Sequence, residues 1–328
     1  SWNENGQLTK IYDKKNNRNI LAPNARGNVF QVFEDKPMRF DAWDIDLYYQ
    51  EKMKEISTLQ EVNVIENGPV RCVVEFTWAY ANSVINQKMV LYAASPRIDF
   101  ETKIDWHEQN QLLKVAFPVE IRATEATYDI QYGNVKRPTH WNTSWDHARF
   151  ESVGHQWADL SERDYGVSLL NDCKYGHDIK DNVIRLTLLK SATYPDVEAD
   201  QGEHLFTYSI LPHTGSWYEG NTVRQAWELN SPLTYAEGHT QSVSLFNIAA
   251  ENVIVDAVKK GENDDQLIIR LHEFAGARGT VEVASDFRID SWQECDLMER
   301  GISEVREDQA FTFEIKPYEI KTFIVKLT

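Results

Sequence analysis

Alternation of apolar and polar residues with a period of two runs through most of the chain. Over 70–80, Val70, Cys72, Val74, Phe76, Trp78 and Tyr80 fall on one face. Over 97–106, Ile98, Phe100, Thr102, Ile104 and Trp106 alternate with Arg97, Asp99, Glu101, Lys103 and Asp105. This pattern predicts half-buried antiparallel strands, dry on one face and wet on the other. Comparable runs lie at 85–93, 183–190, 205–211, 266–274, 280–284, 310–315 and 320–327. Turn sequences separate them: Asn67-Gly68-Pro69, Ser95-Pro96-Arg97, Tyr132-Gly133-Asn134, Gly261-Glu262-Asn263-Asp264-Asp265 and Arg278-Gly279. Helix signals are scarce. Residues 47–57 suit a short helix, although Tyr48 and Tyr49 fit a strand equally well. The expected class is all-β, with sheets packed on one another.

A chain of 328 residues exceeds one small core and predicts about two domains. The stretch 211–241 carries two prolines and three glycines without sustained alternation, so a boundary falls there. The expected division is a large β domain over 1–215, a linker over 216–240 and a small sandwich of immunoglobulin size over 241–328. The start is polar, has no signal-peptide pattern and lacks Met, which reads as a piece of something longer. No apolar run reaches the roughly twenty residues of a membrane helix.

Composition narrows the partners. Fifty-one acidic against 34 basic residues leave a net charge of −17, which suits neither nucleic acid nor anionic lipid. Cys72, Cys173 and Cys295 are widely spaced and form no CxxC, so neither a zinc ribbon nor a redox pair is offered. They predict reduced, buried thiols in an intracellular protein.

The chemistry on offer is mostly negative. HExxH, HxH, GxSxG, GxGxxG and the Walker phosphate loop are all absent. The acidic loop 196–202 fails as a calcium loop, because Gln201 stands where Gly is needed and Thr207 where Glu is needed. It reads instead as a solvated loop or one that accepts from sugar hydroxyls. Two stretches mix aromatic and polar side chains: Phe40-Asp41-Ala42-Trp43-Asp44-Ile45-Asp46 and His140-Trp141-Asn142-Thr143-Ser144-Trp145-Asp146. Carbohydrate sites use this palette, the ring covering the sugar's C–H face while Asp, Asn or Arg takes the hydroxyls. The plainer reading makes Trp43 and Trp145 core residues. Arg149 and Asp159 are expected to pair inside the domain, and Asn142-Thr143-Ser144, formally a glycosylation acceptor, to form a turn.

Several stretches resemble the C-terminal β portion of family-38 glycoside hydrolases, the zinc-dependent α-mannosidases, on their cytosolic and bacterial branch. They are FEDKPMRFDAWDID at 33–46, RPTHWNTSWDHARFE at 137–151, HQWADLSERDYGVSLLNDCKYGHDI at 155–179, YPDVEADQGEHLFTYSILPH at 194–213, LIIRLHEFAGARG at 267–279 and YEIKTFIVKL at 318–327. The resemblance implies a galactose-mutarotase-like supersandwich followed by the smaller immunoglobulin-like sandwich. It implies that the catalytic residues and the zinc belong to an upstream domain of the same polypeptide. This chain would then hold no catalytic residue, metal ligand or cofactor. It would complete the rim of a cleft for mannose-containing oligosaccharides, in a cytoplasmic protein that assembles as a homo-oligomer. On that reading Asp41, Trp43 and Asp44 line the sugar cleft. Asp172, Lys174 and Tyr175 in one turn, and Asp196, Asp200 and His204 in one loop, are further rim candidates. The alternative is a free-standing carbohydrate-binding or mutarotase-like module.

Overall fold

The computed structural model describes residues 1–238, 241–262, 265–307 and 311–328. Outside them lie His239 and Thr240 at the end of the expected linker, Asn263 and Asp264 of the expected turn, and Asp308 to Ala310, which includes the first residue of the run 310–315. The fold is all-β. The chain divides into one unit of residues 1–129 and 135–232 and another of residues 130–134 and 233–328.

The first unit holds a nine-stranded and a six-stranded sheet. In the larger, the strands run 133–138, 125–130, 157–161, 165–171, 202–214, 98–106, 83–92, 71–80 and 59–67 across the sheet. In the smaller, the order is 152–153, 176–180, 183–191, 111–118, 29–34 and 53–55. Their facing sides enclose one apolar core, including Phe30, Trp78, Phe100, Trp106, Phe117 and Tyr208. Strand Ile98–Trp106 follows its predicted alternation, with all five residues of its dry face buried. Asp99 on the other face is also buried, because Arg97 binds both its oxygens, at 2.7 and 3.0 Å, and Ser209 donates to it. Val70, placed on the apolar face of its run, is exposed instead, just before strand Arg71–Tyr80 begins.

Strands buried on both faces carry no alternation. In Gln111–Pro118, Leu113, Val115 and Phe117 face the core, while Leu112, Lys114 and Ala116 on the other side are buried as well. Tyr165–Asn171 is buried at every position. Residues 47–57 divide between the two readings offered for them: a 3-10 turn over Leu47–Glu51, then strand Met53–Glu55.

The expected linker 216–240 contains a helix, α1 here, at Thr222–Asn230. Trp217 ahead of it stacks on buried Trp157 at 5.2 Å. The Thr222 hydroxyl meets that of Ser168 at 2.7 Å, and Ser168 donates to Asp159 at 2.9 Å. Asp159 also binds His213 Nε2 at 2.8 Å. Arg149 is exposed and has no ion pair with Asp159, so the expected pairing goes to His213 instead. Two glycines crowd this imidazole. A Cβ on Gly166 would stand 2.3 Å from His213 Cε1, and one on Gly220 2.3 Å from its Cγ.

The second unit packs a three-stranded sheet (Asn247–Ile248, Gly279–Ala284, Phe311–Ile315) against a four-stranded one (Val253–Lys260, Leu267–Glu273, Ile320–Leu327, Ile289–Cys295). Trp292, Phe311, Phe313 and Phe323 form its aromatic centre. Glu273 is fully buried. Its carboxylate accepts from Asn252 Nδ2 and from the backbone amides of Ala275, Gly276 and Tyr318. The cysteines are free, but only Cys295 is buried. Cys173 is exposed, contrary to expectation, because it sits in the turn after Tyr165–Asn171.

His177 lies in the core of the first unit with Nε2 unpartnered. Burial pulls its pKa down from 6.5 to about 4. The unfolded chain therefore binds the extra proton first, so the stability His177 contributes is complete above about pH 6.5 and is lost as pH falls toward 4. Urea unfolding should give about 2 kcal/mol less stability at pH 5 than at pH 7 from this group. A His177→Leu variant should lose that increment; an unchanged pH dependence would contradict the assignment.

Candidate functional site

Three connections lie at one end of the first unit's sandwich, and register places them together. Trp106 pairs with Gly202, Gln111 with Ser191 and Glu34 with Gln111. The segments 35–46, 107–110 and 192–201 therefore start or finish at the same level. The turn 172–175 joins them from the side, as Asp172 N donates to Thr207 O at 3.1 Å. All nine candidate residues belong to these segments or to the strand Gly202–Thr214 that begins there.

The segment 35–46 has no strand to pair with, so side chains hold it. Buried Asp35 forms an ion pair with Lys190, and burial raises its carboxyl above the ordinary range against that cation's pull. Asp41 Oδ2 accepts from Thr193 N (2.7 Å), Thr193 Oγ1 (3.1 Å) and Tyr194 N (3.2 Å). Asp46 Oδ2 accepts from Met38 N at 2.8 Å and closes the loop on itself. Phe40 takes a positive φ of 53°, a costly backbone for a bulky residue, and its carbonyl accepts the amides of Trp43 and Asp44. The turn this builds leaves Trp43 68% exposed. The Asp44 carboxylate is exposed too and makes no hydrogen bond or ion pair among the described residues.

The acidic loop is occupied differently. Asp196 Oδ1 accepts from Glu198 N at 2.9 Å, Asp200 Oδ2 accepts from Lys190 N at 3.1 Å, and His204 Nε2 meets Asp200 O at 3.0 Å. These side chains shape the loop. In the lateral turn, Asp172 Oδ2 accepts from Thr207 N at 2.8 Å and its Oδ1 is buried without a partner. Lys174 lies 4.7 Å over the Phe206 ring. Tyr175 is half exposed beside His155, ring centroids 5.4 Å apart. Although the Cys173 side chain reaches solvent, partial desolvation and the adjacent Asp172 carboxylate raise its thiol to about 11.

The structure thus joins Asp41, Trp43 and Asp44 to the acidic loop through Thr193 and Tyr194. It connects the 172–175 turn only by way of the strand residues Phe206 and Thr207. Free recognition chemistry remains at Trp43 and Asp44, with Tyr175 to the side. Several residues of the same end were not nominated from sequence: Arg39, Phe40, Tyr48 and Tyr194, all exposed. Their signal was position, since each adjoins a nominated segment. Trp145 is 76% exposed, so it too is no core residue. A one-turn helix, Ser144–His147, carries it, and Thr143 and Asp146 cap that helix reciprocally. Asn142-Thr143-Ser144, expected to form a turn, instead leads into this helix, because the Thr143 hydroxyl accepts from Asp146 N.

Beneath both aromatic segments lies a buried charge centre that sequence reasoning missed. Lys114, fully buried, binds Glu151 and, at 2.7 Å, Asp178; Arg185 Nε donates to Asp178 at 2.6 Å. The Tyr49 ring lies 5.1 Å from the ammonium, and the Tyr49 hydroxyl donates to Glu151 at 3.1 Å. Burial pulls the Lys114 pKa down to about 8 despite Asp178. Two carboxylates beside it keep the centre satisfied. Among the described residues no group of three or more His, Cys, Asp or Glu offers a metal site. No helix of the described residues is long and apolar enough to cross a membrane.

Comparison with known proteins adds the relationship. The Glycosyl hydrolases family 38 C-terminal domain matches residues 1–198, and the Glycosyl hydrolases family 38 C-terminal beta sandwich domain matches 252–323. Alpha-mannosidase G of Dictyostelium discoideum is 38% identical over 97% of this chain, which covers 31% of that protein. Human Alpha-mannosidase 2C1 is 37% identical over 90% of the chain, covering 29% of its own length. The chain therefore spans about three tenths of the relatives it matches. An alpha-mannosidase from Enterococcus faecalis shares the fold over 99% of this chain and 41% of its own, with a TM-score of 0.78 at 18% identity.

Replacing Asp178 by Asn should leave Lys114 and Arg185 facing a neutral partner in a buried site. Chemical unfolding should report a loss of about 3 kcal/mol. A loss below about 1 kcal/mol, the range of exposed pairs, would mean the centre is wetter than described.

Proposed function

The chain belongs to glycosyl hydrolase family 38, as a C-terminal part, and on that premise we propose that it is the non-catalytic portion of a zinc-dependent, retaining α-mannosidase. The observation carrying this reading is the family match over both units by a chain three tenths the length of its relatives. An upstream catalytic domain of the same polypeptide supplies the zinc site and the carboxylates that cleave terminal α-mannosides of oligosaccharides with retention. The described residues of this chain provide no ligand set that fits zinc, so no step of the reaction is assigned to a metal here.

The part played by this chain is recognition. Trp43 offers an exposed indole face for the apolar C–H face of a sugar, and Asp44 an uncommitted carboxylate for its hydroxyls. Both lie on a loop held from beneath, which limits the entropy lost on binding. They complete the leaving-group side of the cleft in a cytoplasmic protein.

The chain alone, assayed on an aryl α-mannoside with and without added zinc, should show no turnover. Rates comparable to those of a polypeptide that also carries the catalytic domain would overturn the division of labour. In such a polypeptide Trp43→Ala should lower kcat/KM about tenfold or somewhat less, from the loss of about 1 kcal/mol of stacking. An unchanged kcat/KM would remove Trp43 from the cleft.

A further inference from the structure

We propose that Asp41 is a positioning residue, and that Tyr194, which it holds, is a second sugar-facing aromatic beside Trp43. The inference deepens the proposed mannoside recognition and rests on that reading. Sequence pattern places Asp41 with Trp43 and Asp44 as a group that touches sugar. The geometry points elsewhere. One oxygen of the Asp41 carboxylate takes three hydrogen bonds, from Thr193 N, Thr193 Oγ1 and Tyr194 N. Three donors at 2.7 to 3.2 Å saturate that oxygen, which commits the carboxylate to holding residues 193–194 and leaves Oδ1 as its free acceptor.

What those bonds accomplish is specific. Thr193 and Tyr194 follow strand Val183–Ser191, about 150 residues along the chain from Trp43, and form no ladder of their own. Their amides need an acceptor, and Asp41 supplies it across 152 residues of chain. The bond therefore fixes one rim loop to the other. Two residues beyond Asp41 stands Trp43, 68% exposed; one residue beyond Thr193 stands Tyr194, also 68% exposed. Exposure of a single ring needs no explanation, but here two rings stand on loops tied to each other by one carboxylate. Together they make a surface whose geometry that carboxylate sets. Asp35, buried and paired with Lys190, anchors the root of the same loop, so the clasp acts on a segment already fixed at one end. The ligand class is a hexopyranose, with one ring for each of two C–H faces and the Asp44 carboxylate for hydroxyls.

The test uses the polypeptide that joins this chain to the catalytic domain, with oligomannoside substrates. Asp41→Ala should raise KM about five- to tenfold and leave kcat within about twofold, the mark of lost binding rather than lost chemistry. Asp41→Asn keeps one carbonyl oxygen for the three donors and should restore most of the affinity. Hydrogen exchange at the Thr193 and Tyr194 amides should quicken in the Ala variant and not in the Asn variant. Tyr194→Ala should raise KM severalfold, and Tyr194→Phe should not. If Asp41→Ala fails to fold, the Asn variant and the two Tyr194 variants carry the test alone. Unchanged KM in Asp41→Ala and Tyr194→Ala while Trp43→Ala is impaired would overturn this inference and leave the rim reading standing. Unchanged KM in Trp43→Ala as well would overturn the rim reading itself.

Discussion

Side-chain carboxylates accepting from backbone amides hold the loops of this protein in place. A sheet satisfies its own amides, but a chain that leaves it does not, and buried or half-buried donors must find an acceptor elsewhere. Asp41, Asp46, Asp172, Asp196 and Asp200 do this at one end of the first unit, and Glu273 does it for the turns of the second. Part of the acidic complement is thus structural. This also separates the carboxylates that bind loop amides from those, such as Asp44, that make no hydrogen bond or ion pair among the described residues.

That separation was only partly legible in the sequence. Period-two patterning exposed the strands with one wet face, such as Ile98–Trp106, and hid Gln111–Pro118 and Tyr165–Asn171, which are covered on both sides. The aromatic-polar stretches fall on exposed segments, and Trp43 and Trp145 stand out of the core. What pattern cannot distinguish is Asp41 from Asp44. They are three residues apart and chemically identical, and their roles divide on a contact with residues 193–194. The Lys114 centre was hidden for the same reason, because its partners come from strands and loops distant in sequence.

The Lys114 centre has an energetic peculiarity. A buried cation with two carboxylates is no more stabilising than a well-packed apolar cluster of similar volume, so stability alone gives little reason for it. It does impose a geometry. Tyr49 comes from the 3-10 turn that follows the Trp43 loop and Glu151 from the end of the segment that carries Trp145, and both close on the same ammonium. An apolar cluster would tolerate sliding that this charge arrangement does not.

The imidazole of His213 has an analogous effect on helix α1. Gly166 and Gly220 both approach the ring so closely that a Cβ on either would collide with it. A side chain at either position would therefore push the imidazole off Asp159, the carboxylate that also takes the Ser168 hydroxyl beside Thr222 of α1.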